Sequence, residues 1–98
     1  MNADAGSHDA AQRQRVTIVN TRGLHARAAA RFVRCAEGFD ADVRVTRHDT
    51  EVSGRSIMGL MMLAAAPGCS IDIAVTGPQA AAALEALVKL VENRFDED

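Results

Sequence analysis

A chain of 98 residues, 48% of them hydrophobic, suffices for a single domain with its own core. Aromatic residues make up only 3%, with no Trp or Tyr, so the core is expected to consist of Ala, Val, Leu, Ile and Met. A net charge of -2 argues against a general nucleic-acid binder, and the isolated Cys35 and Cys69, with no CxxC or Cys/His cluster, argue against zinc. No metal and no cofactor are expected. The two cysteines are expected to act as small buried apolar groups in a reducing cytosol. Neither a signal-peptide h-region nor a membrane-length apolar run is present, which predicts a cytoplasmic protein without membrane insertion.

Residues 1–14 are polar and small, without apolar periodicity, and read as a flexible extension in which His8 is solvated. The domain is then 15–98. Val16 and Ile18 alternate with Thr17, so Val16 to Val19 predicts a strand, followed by a loop at Thr21-Arg22-Gly23. Ala29, Phe32, Val33 and Ala36 recur on one face of a helix over 26–37. Gly38 is expected to end it in the left-handed region, with Phe39 folding back on the last turn. Alternating Val43 and Val45 give a strand at 41–47, His48-Asp49 a turn, and Thr50 to Ser53 a return strand. Ser56 begins a short helix over 57–65 that stops at Pro67-Gly68. Ile71, Ile73 and Val75 mark another half-buried strand. Gly77-Pro78 opens the last helix, with Pro near its first position and Ala80, Leu84, Leu87, Val88, Val91 and Phe95 as its apolar face. The acidic end, Glu97-Asp98, is expected to fray. The order β-α-β-β-α-β-α, with half-buried strands, predicts a two-layer α+β sandwich with three helices on one face of the sheet.

The most informative feature is Gly23-Leu24-His25-Ala26-Arg27. His25 falls where a helix starts, beside free backbone N–H groups and the positive end of the helix dipole, which together form an anion site. An imidazole near its unperturbed pKa is partly neutral at physiological pH, so a ring nitrogen there can attack phosphorus. The N–H groups of Ala26 and Arg27 and the Arg27 guanidinium can hold phosphoryl oxygens. The plainer role for His25 is a helix cap or an ordinary surface contact.

Two motifs, Gly23-Leu24-His25-Ala26-Arg27-Ala28-Ala29 and Ser56-Ile57-Met58-Gly59-Leu60-Met61-Met62-Leu63, set in this element order, resemble the HPr family of phosphocarriers of the phosphoenolpyruvate-dependent phosphotransferase system. The resemblance spans roughly residues 15 to 95. It implies an open-faced sandwich with a four-stranded antiparallel sheet in the order 1-4-2-3. It also implies that His25 accepts a phosphoryl group on Nδ1 from phosphorylated Enzyme I and passes it to a IIA-type acceptor. Such a carrier forms a phosphohistidine but is not an autonomous small-molecule enzyme, and a monomer suffices. Either a sugar-uptake branch or a nitrogen-related, regulatory branch (NPr) fits. Family members commonly have proline where this chain has Ala28. If His25 is the N-cap, Ala28 is N3, whose N–H has no partner within the helix, so alanine is expected to alter rates rather than abolish function.

Arg27, Arg31 and Arg34 lie at i, i+4 and i+7 and form a basic ridge leading away from His25, with Arg22 before it. A solvated helix face is the plain explanation; a docking surface for acidic partners is the functional one. Ser56 is an N-cap whatever else it does. In some family members a dedicated kinase phosphorylates the matching serine and impairs transfer from Enzyme I, so the resemblance implies regulation through Ser56 and a serine kinase/phosphatase partner; Arg55 either assists or is incidental. Leu60, Leu63 and Ala64 suffice for the core side of the second helix, which leaves Ile57, Met58 and Met61 for a partner-docking surface. The alternative function is a non-catalytic regulatory module that binds a partner through Ser56 and the Met58/Met61 surface, with His25 idle. An RNA-binding sheet is disfavoured because 41–47 and 70–76 contain no aromatics.

Overall fold

Alternation along three strands decides the layers. Val16, Val43, Val45, Ile71, Ile73 and Val75 are buried while their neighbours face water, so one face of a sheet must be covered. The computed structural model describes residues 11–97. Its elements are β1 (Gln12–Thr17), α1 (Ala26–Glu37), β2 (Asp42–Arg47), β3 (Thr50–Ser53), α2 (Ile57–Met62), β4 (Ser70–Thr76) and α3 (Ala80–Glu92), followed by a 3-10 turn at Arg94–Asp96. All strand pairs are antiparallel and the order is β1-β4-β2-β3. Helix α3 packs on β1 and β4, α1 packs against both α2 and α3, and α2 meets β3. The result is the open-faced α+β sandwich, with one core formed between sheet and helices.

Several local expectations are corrected. β1 starts at Gln12, inside the segment read as extension; residues 1–10 lie outside the described ones. Gln12, Arg13, Gln14 and Arg15 are all exposed, so backbone pairing with Val75, Ala74, Ile73 and Asp72 forms this half of the strand without an apolar pattern to reveal it. The strand ends at Thr17, although Ile18 still exchanges backbone bonds with Cys69 and Gly68, and Val19 is exposed. The core takes no large contribution from methionine. Its largest buried side chains are Phe32 and Phe95, whereas Met58, Met61 and Met62 face solvent.

Three helix ends also differ. Gly38 is right-handed (φ -76°), and α1 closes instead with tight bonds from Gly38 N–H to Cys35 O and Phe39 N–H to Ala36 O. Helix α2 stops at Met62 rather than 65. Ala64 then turns left-handed (φ 52°), which leaves it exposed and puts Ala65 in the core in its place. Pro78 precedes the N-cap of α3, which is Gln79. Neither cysteine is fully buried. Burial, and then the nearby Asp96 carboxylate, push the Cys35 thiol up. Cys69 Sγ instead receives a contact from Arg47 Nη2 at 3.3 Å.

Candidate functional site

The loop before α1 is fixed from three directions. Asn20 and Gly23 close it on themselves, through Gly23 N–H to Asn20 O at 3.2 Å and Asn20 Nδ2 to Gly23 O at 2.8 Å. Leu24 is buried, and its N–H donates to Ala65 O at 2.9 Å, which ties the loop to the chain after α2. Gly23 has φ +68°, and a Cβ there would lie 2.6 Å from Ala65 O, so only glycine fits this approach. The next residue but one is His25.

His25 is the N-cap of α1, with extended backbone (φ -81°, ψ -179°), and its carbonyl accepts the first helical bond from Ala29 N–H at 2.8 Å. The N–H groups of Ala26, Arg27 and Ala28 therefore have no acceptor within the helix. The imidazole does not cap them. It turns to the chain end instead, where Nε2 lies 2.6 Å from a Glu97 carboxylate oxygen. The ring is 19% exposed and the carboxylate 18%, so the contact is largely shielded while an edge of the ring reaches solvent. Nδ1 makes no hydrogen bond among the described residues. Glu97 does not fray. Its other oxygen accepts from Asn20 Nδ2 at 3.1 Å. Burial alone would raise its carboxyl, but the hydrogen bonds from His25 and Asn20, with the charges of His25 and Arg31, prevail and hold it below the usual carboxylate range.

The arginines divide. Arg22, Arg27 and Arg31 line a cleft of about 360 Å³ with Thr21, Asp96 and Glu97, so three cations converge beside the helix start. Arg22 and Arg27 are exposed. Arg31 is not a free member of a ridge, because its Nη1 donates to Phe95 O and so ties the chain end to α1. Arg34 is exposed and lines a neighbouring cleft between α1 and α3 with Cys35 and Lys89, which shares Arg31 and Asp96 with the first.

Ser56 caps α2: its Oγ accepts from Gly59 N–H at 2.9 Å. Arg55 reaches away to Phe39 O and Ala41 O at 3.1 and 3.2 Å, so it braces the loop before β2. Ile57, Met58 and Met61 are exposed as expected, and Met62, which periodicity did not single out, is exposed at 74%. Four large apolar side chains thus stand on one short helix with no cover. Ala28, at N3, has its side chain fully buried. Among the described residues no cluster of His, Cys, Asp or Glu could hold a metal ion, and no helix is long and apolar enough to cross a membrane.

The family model for the PTS HPr component phosphorylation site matches residues 12–93. The phosphocarrier protein HPr of Pseudomonas aeruginosa is 51% identical over 83 residues, covering 84% of this chain and 92% of the relative. That of Neisseria meningitidis serogroup A is 46% identical over 85 residues, 87% of this chain and 96% of the relative. Among solved structures, HPr-C-His from Thermoanaerobacter tengcongensis superposes with a TM-score of 0.85 at 36% identity, covering 89% of this chain and 98% of that one. Fold and family matches together define a phosphocarrier protein. The chain belongs to the HPr family of the phosphotransferase system.

Proposed function

We propose that His25 is the phosphoryl acceptor of this carrier, with Nδ1 as the nucleophile. The observation that carries the assignment is the setting of the ring: Nε2 is engaged by Glu97, Nδ1 is open, and three N–H groups of α1 without helical acceptors lie beside it. The Nδ1 lone pair attacks the phosphorus of a phosphohistidine on Enzyme I. The Nδ1–P bond forms as the donor N–P bond breaks, and the electron pair returns to the donor imidazole. Transfer of this kind depends on placement and on charge stabilisation of the phosphoryl oxygens. The N–H groups of Ala26 and Arg27 and the Arg27 guanidinium supply that stabilisation, and Arg22 adds positive potential. The reverse chemistry delivers the group to a IIA-type acceptor. The carrier works as a cytoplasmic monomer and binds no metal of its own.

The exposed Ile57, Met58 and Met61, joined by Met62, form the apolar part of the docking surface, and Arg22, Arg27 and Arg34 the cationic part. Flexible thioethers suit a surface that meets donor and acceptor in turn. A kinase-borne phosphate on Ser56 would sit at the start of α2, beside Ile57, and oppose docking by added charge and hydration. Incubation with phosphoenolpyruvate, magnesium and Enzyme I, followed by intact mass, tests the assignment. One phosphoryl group is expected on the wild type and none on His25→Ala; an equal gain on His25→Ala would overturn it.

A further inference from the structure

We propose that the cleft between α1 and α3 is a binding site for an acidic amino acid, and that its occupant opposes the docking of Enzyme I. The second half rests on the docking role of Arg34 proposed above.

The cleft has a volume of about 880 Å³ and lies between two matched helix faces. On α1, Arg31, Arg34 and Cys35 stand at i, i+3 and i+4; on α3, Ala86, Lys89 and Leu90 repeat the spacing. Its floor is apolar. Cys35, Ala86 and Leu90 are half-buried, and Cys35 and Leu90 pack against the core. Its rim carries charges of both signs. An apolar floor with a few converging polar groups is the form that small-molecule sites take.

The rim charges decide the ligand class. Arg31 is engaged by Phe95 O, and Asp96 accepts from Asn93 Nδ2 at 2.9 Å. Arg34, Lys89 and Glu92 are left to meet a ligand. Arg34 and Glu92 are exposed and have no salt-bridge partner among the described residues. Lys89 Nζ lies 3.4 Å from Glu85, but these side chains are 73% and 69% exposed, so the pair is weak and readily exchanged. Two open cations and one open anion match two carboxylates and one ammonium group on a short carbon chain, which is an acidic amino acid. A plain dicarboxylate would satisfy the cations but face Glu92 and Asp96 with nothing to offset them. An amino acid with an uncharged side chain would leave one cation unmet. The fork of Arg34 suits a carboxylate held through both oxygens, and Lys89 suits a point contact. The methylenes between the charged groups then cover Ala86 and Leu90.

Because Arg31 and Asp96 line both this cleft and the one beside His25, the two sites adjoin. An occupant on Arg34 neutralises one cation of the docking surface without touching His25. Encounter with an acidic partner slows accordingly.

The test titrates nitrogen-15-labelled protein at constant ionic strength with L-glutamate, with glutarate, which lacks the ammonium group, and with L-glutamine, which lacks the second carboxylate. Glutamate is expected to shift the amides of 31–35 and 86–93 saturably, in the millimolar range. Glutarate and glutamine should each bind about fivefold more weakly, the worth of one hydrogen-bonded group. Lys89→Gln, on an exposed position outside the phosphoryl site, should weaken glutamate by a similar factor. Alkylation of Cys35 by iodoacetamide should slow in glutamate while that of Cys69, which lines another cleft, stays constant. Saturating glutamate should raise KM for Enzyme I and leave kcat unchanged. Shifts that do not saturate, glutarate binding as tightly as glutamate, or an unprotected Cys35 would overturn the site. Saturable binding with an unchanged KM would overturn its effect on docking. A wild type that gains no phosphoryl group would instead overturn the acceptor assignment. The titration, read without any phosphorylation, separates these failures.

Discussion

Replacing Gly23 with alanine should damage stability and transfer together, because this glycine joins the histidine loop to the α2–β4 connection. Gly23 adopts φ +68°, which costs an L side chain about 1–2 kcal/mol. The new Cβ would lie 2.6 Å from Ala65 O and 3.1 Å from Ala66 Cα, both backbone atoms, so the chain must move. That movement stretches the 2.9 Å bond from Leu24 N–H to Ala65 O, whose net worth is about 1 kcal/mol. The sum is about 2–3 kcal/mol, or a fall in Tm of at least about 8 °C for a domain of this size. Gly68 supplies the control. It also has positive φ (+91°), but a Cβ there meets nothing within 4 Å, so Gly68→Ala incurs only the conformational cost. Differential scanning calorimetry of both variants, with the phosphorylation rate measured alongside, isolates the close approach. If Gly23→Ala and Gly68→Ala melted at the same temperature, with transfer intact in both, the argument for a tight loop junction would be wrong.

Other variants probe separate parts of the site. Arg27→Ala is expected to slow phosphoryl transfer by one to two orders of magnitude without abolishing it, because the N–H groups of Ala26 and Arg27 remain; rapid-quench kinetics read this directly, and an unchanged rate would remove Arg27 from the mechanism. Ser56→Ala should lose about 1 kcal/mol in urea unfolding through the cap to Gly59 N–H. Ser56→Asp keeps a capping oxygen, so it should unfold close to the wild type while transferring more slowly from Enzyme I; equal rates would leave Ser56 as a cap alone. Glu97 predicts a pH dependence. Its carboxyl is held below its unfolded value, so its contribution is complete above the ordinary carboxylate range and disappears as pH falls through the lowered folded value. The stability difference between wild type and Glu97→Gln should therefore be constant at neutral pH and shrink in strong acid, as read by urea melts across pH. A difference that grew in acid would reverse the sign of the account.

What could be read from the chain was whatever rests on neighbours in sequence. The 3.6-residue period of Ala29, Phe32, Val33 and Ala36, the alternation of Ile71, Ile73 and Val75, and a histidine at the junction of loop and helix placed α1, β4 and the N-cap at His25. Ser56 before an apolar helix gave the cap on α2. What escaped depends on distant or conformational partners. Gln12 to Gln14 form a strand only because β4 lies alongside, and nothing in their side chains says so. Ala64 turns left-handed without a glycine to announce it, which shortens α2 and exchanges Ala64 for Ala65 in the core. Glu97 looked like part of a solvated acidic end. Its role depends on the left-handed turn at Arg94–Asp96 and on Asn20, 77 residues earlier. The one local signal was Phe95, which continues the apolar face of α3 and fixes where the last residues must cross α1.

The most direct test of the central claim is phosphorus and nitrogen-15 NMR of the ring-labelled protein after phosphorylation by Enzyme I and phosphoenolpyruvate. One phosphorus signal, acid-labile and base-stable, coupled to Nδ1 of His25 while Nε2 remains protonated, is the predicted result. Phosphorus on Nε2, on another residue, or on none in the presence of a demonstrably active cognate Enzyme I would contradict it.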